Sequence, residues 1–499
     1  MEFIMEKQIE IYQANTRRIK AYQYAMWVLG WDQETETPKG AFEYRSAQIE
    51  ILTNDVYEIE TNSEYLSSIE VLYQNKAQLE PLLAKEINQA YRNLRIIKAV
   101  PKAEYIDFQV LLTQSPQIWN EAKQTNNFEM FAPTLEKIVK YNQNLTKYLK
   151  TNQLSGYDVL LDQYEEGFTT KIYDNFFDQL KAELVPFVIS VVALRPTFSK
   201  KLSKGRFPKE KQIVFNQYLL DVFKFDRNRG LLKESAHPFS SNVSATDVRI
   251  TTNYKEEALE SAIFSTIHEL GHGIYEQNVS PNLINTQLNH GASLGIHESQ
   301  SRMYENMIGR SFAFWEVHFE KLKELFPKEL KGVTILDFYM HVNVVARTLI
   351  RTEADELTYP LHIIVRYELE KQLISGQIKV KDLPKKWKKL MLEYVGVRPK
   401  TDTEGVLQDI HWAFGSIGYF PTYALGSAYA AQIYQAMNKD FNVENAISNN
   451  QIEKINDWLK NKIHQFGATK TPKELLVHAT NEEFNPQYYI DYLKRKFSY

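Results

Sequence analysis

Apolar residues of this chain recur mainly at helical spacing. Along residues 1–230 they return every three or four positions, for example at Ile138 and Tyr141. One face of an α-helix shows this period, so the pattern predicts amphipathic helices. The same reasoning predicts helices over 335–376 and 451–465.

One segment departs from this pattern. Residues 237–254 are rich in Ser, Thr and Val, and Asp247 and Arg249 alternate there with Val248 and Ile250. A period of two residues is typical of a β-strand with one buried face. The sequence therefore predicts a mainly α fold with a small antiparallel sheet beside the helices.

The composition strengthens the helical prediction. Gly and Pro number 19 and 17 among 499 residues, which is few for a fold with many turns. A hydrophobic content of 43% excludes a disordered chain. The sequence contains no linker-like tract, so we predict one large helical unit over residues 1–499, or the same unit folded as two helical lobes that flank a cleft.

Charge and hydropathy narrow the classes of partner. The net charge is −3, and the basic run with an aromatic residue inside it, 385–389, is short, so nucleic acid is not an expected partner. The most apolar segment, 184–194, is about half the length of a membrane helix. The opening residues lack the pattern of a signal peptide, and the chain has no cysteine. These features predict a cytoplasmic protein that binds no membrane.

The strongest chemical signal is the motif HELGH at residues 268–272, within a segment that has helical spacing. On a helix, His268 and His272 lie one turn apart on the same face, so both imidazoles can bind one metal ion. Glu269, next to the first histidine, can hold the attacking water, take its proton and pass that proton to the leaving amine. The alternative is a pair of ordinary histidines on a helix surface.

Two glycines within and after the motif favour the metal site. Gly271 and Gly273 each cost up to about 1 kcal/mol relative to alanine in a helix interior. Such a cost indicates a compensating need, for example the close approach of another backbone. Five of the 19 glycines fall in 271–309 and four in 405–426, so turns concentrate near the proposed chemistry.

A catalytic zinc site needs a third protein ligand and one open position. The best candidate is Glu298, because a new helix is predicted to begin near Ser299 and to face the first one. Glu305 and Glu276 are the rivals, and Glu305 is also a candidate partner of a ligating histidine. An ordinary acidic residue near a helix N-terminus is the alternative for Glu298.

These motifs, in this order, resemble those of the carboxypeptidase Taq family of thermostable metallocarboxypeptidases. The resemblance extends from about residue 20 to the C-terminus. The matching segments are GWDQETETPKGA (30–41), HPF (237–239), DVRIT (247–251), HELGH (268–272), HESQSRMYEN (297–306), IRTEAD (350–355) and GVLQDIHW (405–412).

The resemblance implies a large helical metallopeptidase with a deep groove, generally a homodimer. It implies hydrolysis of the last peptide bond and release of single C-terminal amino acids, with broad specificity and proline disfavoured. One divalent metal ion per chain is expected, zinc first and cobalt as an alternative.

A carboxypeptidase must recognise a free carboxylate, and the planar fork of arginine suits that group. Arg347 and Arg351 are predicted to lie one turn apart on a helix. The family pattern falls on Arg351, which is our candidate clamp, with Arg347 as its rival. Solvated arginines paired with Glu353 or Asp355 are the alternative for both.

Three further residues are candidates for substrate contact. His411 and Tyr423 lie in the second glycine-rich patch, where an imidazole or a phenol could donate to the oxyanion of the tetrahedral intermediate. Ordinary buried hydrogen bonds are the alternative. His237 in the HPF segment is a weaker substrate-binding candidate, because that segment also suits a simple turn. Asp247 and Arg249 are a candidate structural ion pair.

Two other functions stay open from the sequence. A related zinc oligopeptidase or dipeptidyl carboxypeptidase would use the same motif on short peptides. A helical scaffold with a vestigial motif would bind no substrate at all.

Overall fold

A computed structural model of the chain describes residues 2–194, 202 and 205–498. The described residues form twenty α-helices and a three-stranded sheet. The helices are α1 (Glu2–Thr35), α2 (Phe42–Glu60), α3 (Ser63–Gln74), α4 (Pro81–Ala99), α5 (Lys102–Gln124), α6 (Phe128–Tyr148), α7 (Tyr157–Tyr164), α8 (Thr170–Ala193), α9 (Lys209–Val222), α10 (Leu259–Gln277), α11 (Leu294–Arg302), α12 (Phe312–Leu325), α13 (Ile335–Val342), α14 (Tyr359–Ile374), α15 (Leu383–Leu390), α16 (Pro421–Asp440), α17 (Val443–Ser448), α18 (Ile452–Lys462), α19 (Pro472–Thr480) and α20 (Gln487–Phe497).

The helical prediction from apolar spacing is confirmed for most of the first half of the chain. In α6, the stripe residues Ile138, Tyr141 and Leu145 are all buried. The stripe of α1 is likewise directed inward, since Tyr12 and Ile19 are buried. Burial of these stripes against neighbouring helices supplies most of the stability that isolated helices lack in water.

The prediction of one helix over 335–376 is wrong in its middle part. The structure has α13 and α14, separated at 343–358 by an irregular stretch that contains one short 3₁₀ turn, Arg351–Glu353. Asp355 explains the break, because its carboxylate accepts hydrogen bonds from the backbone N–H groups of Ala346, Leu357 and Thr358. Such side-chain bonds offer the backbone an alternative to the helix.

The predicted small sheet is present and lies against α10. Its strands are β1 (Gly230–Glu234), β2 (Ser240–Ser244) and β3 (Asp247–Thr252), in the order β1–β3–β2. The sheet is mixed: β2 pairs with β3 antiparallel, as predicted, whereas β1 pairs with β3 parallel. In β3, Val248 and Ile250 are buried, in agreement with the predicted alternation.

The described residues bury two large apolar clusters and a third, small one of Ala245, Val279 and Leu283. One large cluster belongs to α1–α4, and the other begins at Val100 and includes residues of α5–α20. Lys20 on α1 donates to the carbonyls of Ile284 and Thr286, at 2.9 and 2.7 Å, so α1 holds the connection between α10 and α11. Whether the chain is one unit or two lobes stays a prediction.

None of the helices in the described part of the chain combines the length and the apolar character that crossing a membrane requires.

Candidate metal centre and active site

The motif HELGH lies within α10, which the sheet and α11 cover on different faces. His268 and His272 occupy the same face, with their ring centroids 5.0 Å apart. Both glycines of this segment are explained by packing. A Cβ at Gly271 would lie 2.6 Å from the Ser301 Cα of α11, and one at Gly273 would lie 3.0 Å from the Phe225 ring. The predicted backbone approach is therefore present at Gly271, whereas Gly273 accommodates side chains.

Helix α11 carries Glu298 and begins earlier than predicted. The sequence prediction placed its start near Ser299, but the helix starts at Leu294, because Ser293 caps it by accepting the Ile296 N–H at 3.1 Å. Glu165 fixes the same end: its carboxylate accepts from Ser293 Oγ at 2.9 Å. Glu298 therefore lies inside the helix rather than at its N-terminus.

A glycine on a third helix leaves room for the Glu298 side chain. Gly426 of α16 faces it, and a Cβ there would lie 2.6 Å from Glu298 Cβ. The carboxylate is oriented by its own helix, since Arg302 Nε donates to Oε1 at 2.6 Å and Ser301 Oγ donates to Oε2 at 3.0 Å. The close approach of α10, α11 and α16 thus fixes the position of this acid.

Three side chains converge with the geometry of a metal site. One ligating atom each from His268, His272 and Glu298 lies within 4.8 Å of the other two. Glu298 Oε2 is 3.7 Å from His268 Nε2 and 3.6 Å from His272 Nε2. Two ligands of a tetrahedral zinc ion, each about 2.0–2.1 Å from it, would be roughly 3.3 Å apart. The donor set of two imidazoles and a carboxylate therefore fits one small divalent ion.

A carboxylate supports the first histidine directly. His268 Nδ1 donates to Glu305 Oε2 at 2.9 Å, from the π-helical segment Met303–Gly309 that continues α11. Burial alone would raise the pKa of the Glu305 carboxyl, but the bond from His268 and the guanidinium groups of Arg310 and Arg302 hold that pKa well below its usual value. Glu305 is therefore an ionised acceptor behind the site.

The second histidine is supported through another imidazole. His272 Nδ1 lies 2.6 Å from His297 Nδ1, and His297 Nε2 lies 2.7 Å from Glu276 Oε1. Burial would raise the pKa of the Glu276 carboxyl, but the hydrogen bond from His297 and the N–H of Gly291 lower it below its usual value. Glu276, a rival for the third ligand, thus faces His297 and not the metal cluster.

Glu269 lies beside the site and is 6% exposed. Burial raises the pKa of its carboxyl to about 7, although His268 lowers it and a hydrogen bond with Ser240 at the start of β2 lowers it further. A carboxyl with a pKa near neutrality can both accept and return a proton. The sheet therefore contributes directly to the environment of the candidate base.

The comparisons with known proteins decide the family. Residues 11–497 match the family described as "Carboxypeptidase Taq (M32) metallopeptidase". The chain belongs to the M32 family. Its resemblance to this family, first drawn from separate motifs, is confirmed along nearly the whole chain.

The relatives of this M32 chain are named as carboxypeptidases. "Carboxypeptidase 1" of Bacillus subtilis (strain 168) is 41% identical over 483 residues, which cover 97% of this chain and 96% of the relative. "Thermostable carboxypeptidase 1" of Pyrococcus furiosus is 37% identical and covers 97% of both chains. The solved structure of Trypanosoma cruzi metallocarboxypeptidase 1 has a TM-score of 0.94 at 33% identity, covering 99% of this chain and 100% of the other. The chain is a metallocarboxypeptidase, which excludes the scaffold alternative.

The candidate clamp of this M32 enzyme is buried in an ion-pair network. Arg351 donates to Asp409 Oδ1 through Nε at 2.9 Å and to the Tyr359 hydroxyl through Nη1 at 2.9 Å. Arg366 shares the same carboxylate, at 2.6 Å from Oδ2. The alternative partners of Arg351 that the sequence offered, Glu353 and Asp355, are not the acids it contacts.

Arg347 lies in the irregular stretch, so the two arginines are not one helix turn apart as predicted. Its guanidinium packs over Gly396, where a Cβ would lie 2.9 Å from Nη1. Gly396 has a φ of +82° and therefore occupies the left-handed region that favours glycine.

His411 and Tyr423 contact each other, with His411 Nε2 3.1 Å from the Tyr423 hydroxyl. The Arg351 guanidinium lies 5.1 Å from the Tyr423 ring centroid. Burial and the nearby Arg351 charge lower the pKa of His411 to about 4, so its imidazole is neutral at pH 7. A neutral imidazole leaves one N–H or O–H of this pair available as a donor.

His237 is exposed in the turn between β1 and β2, where its carbonyl accepts from Ser235 Oγ at 2.7 Å. Asp247 and Arg249 form the expected ion pair, at 2.8 Å, and the Arg249 guanidinium stacks 4.5 Å from the Trp27 ring. This stacking joins β3 to α1.

Sequence reasoning missed several residues that support the site. Three of them lie in segments that carry the resemblance, HESQSRMYEN and QDIHW, and two lie outside these segments, but spacing gave no role to any of the five. Contacts in the folded chain assign those roles, some between distant segments, as for Arg366 and Asp409, and some between near neighbours, as for Arg302 and Glu298. The residues concerned are His297, Arg302, Arg310, Arg366 and Asp409.

Proposed function

We propose that this metallocarboxypeptidase hydrolyses the last peptide bond of its substrates and releases single C-terminal amino acids. The carrying observation is the cationic cluster around Arg351 beside the candidate metal centre. Tyr359 connects the two: its hydroxyl accepts from Arg351, and its ring lies 4.6 Å from the Arg302 guanidinium that holds Glu298. A cation linked to the candidate metal centre through one shared neighbour suits a substrate whose carboxylate lies next to the bond to be cut.

The roles of the side chains follow from their chemistry. His268, His272 and Glu298 would hold the metal, which when bound supplies a Lewis acid that polarises the peptide carbonyl. Glu269 accepts a proton from the attacking water and returns it to the leaving amine. His411 and Tyr423 donate to the oxyanion, and Arg351 binds the terminal carboxylate, with Arg347 and His237 as further substrate contacts.

Zinc is the proposed ion, because two imidazoles and one carboxylate are a common catalytic zinc set. The same ligands would accept cobalt, and the availability of each metal in the cell would decide which of the two ions is bound. Broad side-chain tolerance, disfavoured proline, a homodimer and a cytoplasmic location stay predictions based on the family resemblance.

A mixed peptide ladder, followed by mass spectrometry with and without a chelator, tests the proposed function. We expect products shortened by one residue at a time from the C-terminus, and no products after metal removal. Peptides with C-terminal amides should be spared. Loss of two residues per step would favour the dipeptidyl alternative, and equal cleavage of amides and free acids would contradict an exopeptidase.

Changing Arg351 to glutamine tests the proposed clamp. We expect kcat/KM for free-acid peptides to fall by about 10²-fold, since a buried charge-assisted contact of about 2–5 kcal/mol is lost. Metal content should stay at the wild-type value, because the arginine contacts none of the three candidate ligands. Arg227→Gln, at an exposed position, is the matched control. Unchanged kinetics for Arg351→Gln would move the role to Arg347.

A further inference from the structure

His297 and Glu276 lie behind the candidate metal centre, in line with its ligand His272. We propose that His297 and Glu276 position His272 as a metal ligand, with His297 relaying the effect of the carboxylate to the ligating ring. This inference rests on the proposed metal site. His297 and Glu276 are positioning residues, since their contacts are with His272 and its surroundings rather than with the reacting atoms.

The two ligating histidines are supported in different ways. His268 Nδ1 contacts the Glu305 carboxylate directly, at 2.9 Å. His272 Nδ1 instead contacts the ring nitrogen of His297 at 2.6 Å, and only the far side of that ring reaches a carboxylate, Glu276, at 2.7 Å. An imidazole can accept or donate, so this contact needs a further group that decides the direction of the hydrogen bond.

Glu276 decides that direction. An ionised carboxylate only accepts, so His297 Nε2 must carry the proton that it donates to Glu276 Oε1. In neutral His297 the opposite nitrogen, Nδ1, is then an acceptor, and it requires His272 Nδ1 to be the donor. His272 Nε2 is left unprotonated and directed towards Glu298 Oε2, 3.6 Å away, which is the state that binds a metal.

Glu276 is itself held in place by two donors from different segments. Its Oε1 accepts the N–H of Gly291 at 2.9 Å, and its Oε2 accepts from Asn242 Nδ2 of β2 at 2.8 Å. Both contacts are to groups that can only donate. The carboxylate is therefore fixed as an acceptor and has one position from which to orient His297.

The ring of His297 is also confined sideways. A Cβ at Gly291 would lie 2.7 Å from His297 Cδ2, and the ring centroid of Tyr275 on α10 lies 5.1 Å from that of His297. Gly291 does not have a positive φ, so this glycine is explained by the space that the imidazole needs. The ring is thus held between Gly291 and Tyr275.

Metal affinity is the measurement that distinguishes positioning from packing. In His297→Leu the acceptor for His272 Nδ1 is lost, and we expect the dissociation constant for zinc, measured by competition with a chromogenic chelator, to rise about 10–100-fold. His297→Gln can keep an acceptor towards His272 and a donor towards Glu276, so it should recover most of the affinity. His478→Leu, at an exposed histidine on α19, is the control and should bind zinc as the wild type does.

A double substitution tests whether Glu276 acts through His297. Alone, Glu276→Gln should weaken zinc binding several-fold, but in the His297→Leu background it should weaken binding little further. Gly291→Ala should also weaken it by displacing the imidazole. Thermal unfolding of the metal-free variants checks that they fold.

Two results would overturn the inference: unchanged zinc affinity in folded His297→Leu, or a Glu276→Gln effect of the same size in both backgrounds. A failure of the metal site itself would look different. In that case the substitution Glu298→Gln would leave zinc binding by the protein unchanged. In that case the proposed function fails first, independently of His297.

Discussion

Replacing Glu269 by glutamine is expected to lower kcat by about 10²–10⁴-fold, the range that a positioned general acid–base group contributes. Glutamine has nearly the same shape but cannot take a proton from water or return it to the leaving amine. Because Glu269 is not among the three candidate ligands, metal content should stay at the wild-type value. Steady-state kinetics on a free-acid peptide, together with metal analysis of the same preparation, measure both quantities.

Because of the position of Glu269, we expect the substitution to lower turnover without disturbing the fold. Its side chain is buried between α10 and the start of β2, where Ser240 bonds to it. Glutamine can keep the bond with Ser240, so folding should be preserved. Glu257→Gln, exposed just before the same helix, is the matched control and should retain full activity. Stoichiometric zinc with undiminished turnover in Glu269→Gln would refute the role of this carboxylate.

Replacing Glu298 by glutamine is expected to remove the metal. A neutral amide is a poor zinc ligand, and the two histidines alone leave an incomplete donor set. Loss of a residue that only hydrogen-bonds a metal ligand lowers metal affinity by about 10–100-fold. Loss of the ligand Glu298 itself should lower zinc affinity by more than that. Activity should fall with metal occupancy and return in part at high zinc concentration. Equilibrium dialysis against zinc, with activity assayed at each concentration, measures this relation.

The same substitution also has a structural consequence. Arg302, whose side chain is 17% exposed, donates to Glu298 at 2.6 Å and would lose its nearest carboxylate. We expect the metal-free variant to be less stable than the metal-free wild type, by about 1–3 kcal/mol. Glu316→Gln, on the exposed face of α12, is the control for both readouts. Full zinc affinity in Glu298→Gln would refute the role of Glu298 as the third ligand.

Much of the fold could be predicted because the relevant information is local. The spacing of Ile138, Tyr141 and Leu145 reports which face of α6 is buried, whatever the partner. The alternation of Val248 and Ile250 reports a strand in the same way. The break at 343–358 could not be predicted from spacing, because the hydrogen bonds that Asp355 accepts there replace helical ones without changing the apolar period.

In the candidate site, too, residues close in sequence could be predicted, whereas residues brought together by packing could not. His268, Glu269 and His272 lie on one helix, so their spacing alone places two imidazoles on one face with an acid beside them. Glu298 could be proposed only as one of three acids, because its distance from the histidines depends on how closely two helices pack. Gly271 and Gly426 allow that packing, but their partners lie elsewhere in the chain.

By itself, the sequence determined a long helical chain with a small sheet, a helix able to bind a metal through two histidines, and a candidate base next to them. The tertiary structure alone brings Glu298 next to the two histidines, places Arg351 against Asp409 and Tyr359, and connects His272 to Glu276 through His297. The physical reason is distance along the chain. A helical turn fixes the relation of residues four apart, whereas contacts between remote segments exist only after the helices have packed.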